Sequence, residues 1–340
     1  MSNKPTDYTI SVVLGNYNGR RFLTTCLSSL ENQSYSNLET IFVDDESTDG
    51  SAQFVSQNFP HVMVIRNPGP ERGFAACCDA GARIARADYL LFLNVDIELE
   101  PDCLSHLVAR MDGDPSIGVC GPRLLSLNDR KRIVSTGGFL DVFGFGMDRG
   151  LDELDTGRFS KAEQVSFITG AVILVRRSAL KAAGGWDIDT FTYAEDSDLC
   201  WRVLLNGYKV VYEPKSVAFH FHSPSMGRAS PRKIHFMERN RLSAMIRNYS
   251  LPTLLEVLPG WAVIAAARIL YFTARRRADI VDASIRAYIE VLQNLPKTFR
   301  KRALTQMSRR IPDKEIMRHF AKESLEARLL LSHKLRMASQ

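Results

Sequence analysis

The 340-residue sequence has no Cys-x-x-Cys pair among its six cysteines (Cys26, Cys77, Cys78, Cys103, Cys120, Cys200) and no regular cysteine spacing. That excludes a disulfide framework and a cysteine zinc site, and it fits a reducing compartment. Met1 to Thr9 hold no apolar stretch, so neither a secretory signal nor an N-terminal anchor is expected and the chain is placed in the cytoplasm. In the C-terminal part the longest uncharged run, Val257–Ala267, is eleven residues, short of the ~20 that span a bilayer. Biased tracts are missing too, with 21 Gly and 14 Pro scattered along the chain, which excludes fibrous and disordered classes. What is there, 45% hydrophobic and 24% charged residues, is enough for a real core. At ~100–200 residues per domain this means one large unit or two unequal ones.

The net charge of +6 hides an asymmetry. Residues 1–227 carry 21 basic and 29 acidic groups, and residues 228–340 carry 23 and 9. The first part is read as one domain with halves over about 8–100 and about 101–227. The second is read as a basic helical region. Along the first part the pattern alternates between strand and helix: a β-rich run Ile10–Leu14, a helix over 20–31 with Phe22, Cys26 and Leu30 on one stripe, and a strand Thr40–Val43. A helix start at Ser47–Asp49, a strand Val62–Ile65, a helix near 74–86 and a strand Tyr89–Leu93 follow. Such alternation predicts an α/β fold with a mainly parallel sheet. Ligands collect at the carboxyl ends of strands in such sheets, and three successive strand ends carry polar clusters: residues 15–19, Asp44-Asp45 and Asp96. Further on, a strand-like run Ala171–Val175 is followed by an acidic cluster, Glu195-Asp196-Ser197-Asp198, that opens a helical pattern Leu199–Asn206 ending at Gly207. Helix dipoles favour acids at this end, so capping alone is a competing explanation for Asp198.

These residues resemble the family-2 inverting glycosyltransferases of GT-A fold, a Rossmann-like nucleotide-diphospho-sugar transferase fold, over roughly residues 8–250. The resemblance rests on Ser11-Val12-Val13 with Asn16-Tyr17-Asn18, Val43-Asp44-Asp45 through Ser51, Arg72-Gly73-Phe74-Ala75 and Leu93-Asn94-Val95-Asp96. Thr169-Gly170-Ala171, Gly184-Gly185-Trp186-Asp187 and Tyr193-Ala194-Glu195-Asp196 through Arg202 complete it. Any one of these is weak; their order and spacing are specific. Rhamnosyltransferase-like members of cell-surface polysaccharide synthesis share the pattern. The QxxRW signature of processive members is absent, which implies transfer of a single sugar.

The resemblance implies a nucleotide diphosphate sugar as donor, UDP- or dTDP-linked, and assigns roles. Tyr17, Asn18, Asp44 and Asp45 would hold base and ribose; a carboxylate accepts the N3–H of uracil or thymine. Arg72, Asp79 and Asn94 would add donor contacts. The family's metal motif, usually DxD, reads Asn94-Val95-Asp96 here, so Asp96 carries the contact to a divalent ion, Mg²⁺ or Mn²⁺. One or two protein oxygens suffice when phosphates and water supply the rest. His220 matches a position that supplies a ligand to metal or pyrophosphate, with His222 as the alternate. Asp196 is the expected general base for the acceptor hydroxyl, with Glu195 beside it, and Trp186 and Asp198 are expected at the acceptor. Arg239 and Asn240 match a pair for which a pyrophosphate contact and a helix-surface role are both open.

In the basic region, Leu251–Phe272 is apolar, interrupted by Pro252 and Pro259, and runs into Arg275-Arg276-Arg277; Val281, Ile285, Tyr288, Leu292 and Leu295 form a second stripe. Helices of this kind over 251–302 suit the inner face of an anionic membrane, or pack on the catalytic domain. A lipid-linked glycan acceptor follows from the first alternative. No nucleic-acid module is recognisable. The rivals are a non-catalytic nucleotide- or glycan-binding protein on the same fold and a sugar-1-phosphate nucleotidyltransferase, whose Gly-rich basic loop Gly15–Arg21 matches poorly.

Overall fold

The computed structural model describes residues 9–221 and 230–331. The chain runs β1 (Ile10–Asn16), α1 (Leu23–Glu31), β2 (Leu38–Asp44), α2 (Ser51–Asn58), β3 (Met63–Arg66), α3 (Phe74–Ile84), β4 (Tyr89–Asn94), β5 (Ile97–Leu99) and α4 (Cys103–Asp112). There follow β6 (Ile117–Ser126), β7 (Ile133–Ser135), β8 (Gly138–Leu140), β9 (Gly146–Asp148), β10 (Glu163–Gln164), β11 (Val172–Arg176), α5 (Arg177–Ala182), α6 (Glu195–Leu205) and β12 (Lys209–His220). The remaining elements are helical: α7 (Pro231–Asn248), α8 (Leu251–Ala274), α9 (Ala278–Gln293), α10 (Leu295–Ser308), α11 (Asp313–Ile316) and α12 (Leu325–Leu331).

The main sheet has the order β10-β12-β6-β11-β4-β1-β2-β3, with β5 added on β12 and β7 on β6. Strands β3, β2, β1 and β4 are all parallel, and β1 is covered on both faces, which explains its nearly unbroken apolar run. Its register puts Asn16 opposite Asp44 and Gly15 opposite Asn94, so the polar residues of three strands meet at one carboxyl edge. Strand β11 runs antiparallel to β4, Val172 beside Leu93, and returns Gly170 and Ala171 to that edge. Strand β12, parallel to β6, pairs its last residue His220 with Ile97 and so delivers the imidazole beside the loop after β4. The helix expected from Ser47–Asp49 starts at Ser51, because Asp49 caps the Ser51 N–H (3.0 Å) from outside the helix. The acidic cluster lies within α6, which begins at Glu195.

The basic region packs on the α/β part. One continuous core runs from Val13 and Phe92 through Trp186 and Trp201 to Met245, Tyr249, Trp261, Val291 and Phe320. Trp201 stands edge-on to Tyr249 (4.7 Å) and to Phe320 (5.3 Å). The expected interruption of Leu251–Phe272 is not observed: α8 continues through Pro259, with Pro252 in its first turn. A proline removes one backbone donor, and the residue four positions earlier, Leu255, is solvent-exposed, where water can satisfy its carbonyl. At 24 residues α8 is long and apolar enough to cross a membrane by length and composition, yet Leu254, Val257, Trp261, Ala265, Arg268 and Phe272 face the protein interior. The stripe read in α9 is also displaced. Its buried face is Ile280, Ala283, Ser284, Ala287 and Val291, while Ile285 and Leu292 point outward.

Four helices are joined by a buried ion cluster. Arg241 on α7 pairs with Glu238 (2.8 Å) and with Glu326 on α12 (2.5 Å), Arg268 on α8 pairs with both acids, and Tyr288 on α9 donates to Glu238 (2.8 Å). Burial opposes these charges, but Arg241 and Arg268 hold the Glu326 carboxyl below its ordinary range. Truncating one member, Arg268→Ala, is expected to cost about 3–5 kcal/mol in denaturant unfolding because it strands buried charge, whereas replacing Arg268 and Glu326 together by Met costs far less. Equal costs for the two would refute this account.

Candidate active site

The donor edge is built from side chains that hold one another. Asp44 accepts from Asn16 Nδ2 (3.2 Å) and the Ser47 N–H (3.1 Å); Asn16 also donates to Ser47 Oγ (2.9 Å). Asn18, in a left-handed conformation (φ 52°), accepts from the Thr48 N–H (2.8 Å). Asp45 accepts from Asn67 Nδ2 (2.8 Å) and from the Gly73 N–H (2.8 Å), which fixes the turn into α3. Both acids are almost wholly buried, whereas Tyr17 beside them is 69% exposed, an aromatic face open to solvent at the sheet edge. Arg72 is tethered to Glu46 (2.5 Å) and lies 3.8 Å from Asp45. Asp79 is paired with Arg83 on its own helix (2.7 Å), so it reaches the donor edge only by exchanging that partner.

Next to Asn94, Asp96 Oδ1 and His220 Nε2 are 3.3 Å apart. The structure thus brings together the two residues assigned to metal. Among the described residues no group of three His, Cys, Asp or Glu is placed to hold an ion. The pair fits a divalent ion whose remaining ligands come from a diphosphate and water. His222 lies outside the described residues.

Across the cleft, Asp196 accepts from the Gly170 N–H (2.7 Å) and the Ser197 N–H (2.6 Å). A Cβ at Gly170 would stand 3.0 Å from the Phe74 ring and in ordinary contact with Asp196, so β11 leads in close against α6. Burial pushes the Asp196 carboxyl up. Burial, with the Asp196 charge beside it, pushes Glu195 up to about 8, and Glu195 Oε2 has no hydrogen-bond partner among the described residues. The loop into this pair is strained: Phe191, Tyr193 and Ala194 have φ of 62°, 66° and 63°. Each left-handed non-glycine residue costs about 1–2 kcal/mol. Gly73 (φ 93°) lies directly against the Phe191 carbonyl, where a Cβ would come within 2.2 Å, so the donor turn and the acid-pair loop touch.

Two residues expected at the acceptor are both buried. Trp186 is 4% exposed, with its ring edge-on to Phe92 (4.9 Å) and Phe74 (5.7 Å), in the core under the cleft. Asp198 points away from it. Burial alone would raise the Asp198 carboxyl, but Arg202 (2.8 Å) and Arg247 (3.6 Å) hold it below its ordinary range, and Asn248 donates to it (2.9 Å). Arg202, fully buried, also donates to the carbonyls of Ala183 and Gly185 (2.6 Å), so the Asp198–Arg202 pair ties α6 to the Gly184-Gly185 turn. Sequence reasoning missed Asp148 on β9. Burial pushes its carboxyl up to about 7, helped by Asp196 and opposed by Ser135 (2.7 Å), His220 and Lys233. The only local signal for Asp148 was a Gly-rich stretch over 144–146. Asn240 is not on the helix surface: it is 5% exposed and bonds the loop before Glu195.

The solved structures most like this fold include GalNAc-T7 with UDP, GalNAc and Mn²⁺ (TM-score 0.56, 17% identity, 70% of this chain and 48% of that one). Residues 1–349 of S. aureus TarS with UDP align at TM-score 0.52 and 16% identity over 84% of this chain and 92% of that one. Mannosyltransferase PcManGT from Pyrobaculum calidifontis with GDP-Man and Mn²⁺ aligns at 0.51 and 18% over 83% and 86%. These likenesses show the GT-A fold. In sequence, the chain is 26% identical over 306 residues to the pre-mycofactocin glycosyltransferase of Mycobacterium tuberculosis, covering 85% of this chain and 61% of the relative. It is 24% identical over 236 residues to the poly-beta-1,6-N-acetyl-D-glucosamine synthase of Staphylococcus epidermidis, covering 67% and 54%. The chain thus spans a little over half the length of these relatives. The glycosyl transferase family 2 model matches residues 11–184, half of the chain; with the fold shown by these structures, this chain is a family-2 glycosyltransferase of GT-A fold.

Proposed function

We propose that the enzyme transfers one sugar, with inversion, from a UDP- or dTDP-linked donor to a glycan hydroxyl, with Asp196 as general base. The observation that carries this reading is the meeting of these groups at one end of the sheet: Asp196 accepts from the Gly170 N–H (2.7 Å), the next residue, Ala171, accepts from the Asn94 N–H (3.0 Å), and Asp96, two residues on, lies 3.3 Å from His220. The base and ribose would lie against Tyr17, Asn18, Asp44 and Asp45, and the diphosphate over Asn94 and Asp96, with Arg72 above it. Asp96 and His220 would hold Mg²⁺ or Mn²⁺, which when bound neutralises the diphosphate charge. GalNAc-T7 and PcManGT are both known with Mn²⁺, which supports a divalent ion here. Asp196 takes the acceptor proton as the hydroxyl oxygen bonds to the anomeric carbon; the bond from that carbon to the diphosphate oxygen breaks on the opposite face, and the diphosphate leaves with the electron pair.

The acceptor is proposed to be a lipid-linked glycan of cell-surface polysaccharide or glycolipid synthesis, reached from the cytoplasmic membrane face. Support comes from the outward side of the basic region, where Leu255, Val263 and Leu270 on α8, Ile285, Ile289 and Leu292 on α9, and Phe299, Leu304 and Met307 on α10 are exposed. Arg275–Arg277 at the α8–α9 turn, with Arg300 on α10, supply the positive charge that an anionic headgroup layer attracts.

Asp196→Asn is expected to leave nucleotide affinity unchanged, measured by thermal shift with UDP, dTDP, GDP and CMP in Mn²⁺, and to lower transfer by about 10²–10⁴-fold. Retained turnover would move the base elsewhere. In the wild type, transfer falls as pH drops through an Asp196 pKa above the ordinary carboxylate value of about 3.9. Glu195 and Asp196 titrate as a pair, so a second, higher inflection is expected, and it disappears in Glu195→Gln. An acid limb at the ordinary value would contradict the burial seen here. Liposome flotation of the full chain is expected to show salt-sensitive binding to anionic but not neutral vesicles; no binding would remove the support for a membrane-borne acceptor.

A further inference from the structure

The backbone from Asp187 to Ala194 rises from the Gly184-Gly185 turn, passes through three left-handed residues and delivers Glu195 and Asp196 to the cleft. Such a conformation persists only when the surroundings over-determine it. Here the surroundings are α7. The Asn240 amide nitrogen lies 2.9, 3.0 and 2.7 Å from the carbonyl oxygens of Thr190, Thr192 and Tyr193. Its orientation is set from the other side, because Arg239 Nε donates to Asn240 Oδ1 (2.9 Å). Arg239 itself donates to the carbonyls of Asp189 (3.0 Å) and Thr190 (2.8 Å) and is anchored on Glu290 of α9 (2.7 Å). From α10, Lys297 reaches Asp189 (2.6 Å) and Lys301 reaches both Asp187 and Asp189. A cavity of about 180 Å³ adjoins the loop, lined by Asp187, Arg239, Arg247, Glu290, Lys297 and Lys301.

We propose that Asn240 is a positioning residue of the transfer reaction: its amide, locked by Arg239, holds the left-handed loop that aims Asp196 at the acceptor hydroxyl. This rests on Asp196 being the base. The basic region is thereby a working part of the reaction centre. Removing the amide donors leaves the Thr192 and Tyr193 carbonyls facing a buried side chain that no longer donates, while Thr190 keeps Arg239, and the loop relaxes toward ordinary backbone angles.

The test compares Asn240→Asp, which keeps the shape and loses the donors, with Asn240→Ala and, should neither fold, Arg239→Gln. Amide hydrogen exchange over residues 190–197 is expected to quicken by about tenfold while exchange in β1 and β4 is unchanged. Transfer kcat is expected to fall by about tenfold or more, with the donor KM and the affinity for UDP or dTDP within about twofold of wild type. Native exchange in this loop with kcat within about twofold would overturn the proposal, as would a loss of donor affinity equal to the loss of kcat. Asp196→Asn separates the two readings: if it still turns over, the base assignment falls while loop exchange continues to report on Asn240. If it is inactive and the Asn240 variants exchange normally, only the positioning role falls.

Discussion

A carboxylate and a guanidinium buried together cannot be parted without leaving a charge in the core, and the Asp198–Arg202 pair imposes that constraint here. Arg202 fastens α6 to the glycine turn before Trp186; Asp198 fastens the same helix turn to Asn248 and Arg247 of α7. Asp196, two residues before Asp198, is therefore set by three elements at once. The donor edge obeys a similar rule in milder form, since Asp45 spends both oxygens on Asn67 and Gly73 and so fixes the turn that carries Arg72.

This organisation divides labour between the two regions of opposite charge. The acidic α/β part carries the strand-end groups that would meet a nucleotide and a metal. The basic helices supply the cations that neutralise Asp187, Asp189 and Asp198 beneath the cleft. Much of the positive charge of the basic region is consumed internally. What is left outward, at the α8–α9 turn and along α10, shares its surface with exposed leucine, isoleucine and phenylalanine side chains.

How much could be read from the sequence follows from the range of the interactions involved. Strand-end positions such as Asp44, Asp45, Asn94 and Asp96 were legible because alternation of strand and helix fixes the parallel order, and register then does the rest. The Asp96–His220 pairing was reached only through resemblance, since 124 residues separate the two and an antiparallel addition of β5 to β12 unites them. Asp198 looked like a cleft residue because its neighbours are; Arg202 is its i,i+4 partner on the same helix, but Arg247 and Asn248 come from α7 and no local pattern names them. Trp186 sits in a site motif for packing reasons, against Phe74 and Phe92. Asp148 and Asn240 were illegible in these settings, because their meaning depends on contacts to β7 and to a loop 47 to 50 residues upstream.

All six cysteines are buried, and burial raises every thiol pKa, with Cys103 at about 12. Thiol reagents act on the thiolate, so the folded enzyme is silent toward maleimides and iodoacetamide until it opens. A single cysteine introduced on the outer face of α8 or α10 can therefore carry a fluorophore or spin label on an otherwise unmodified chain, without first stripping the native cysteines from the core.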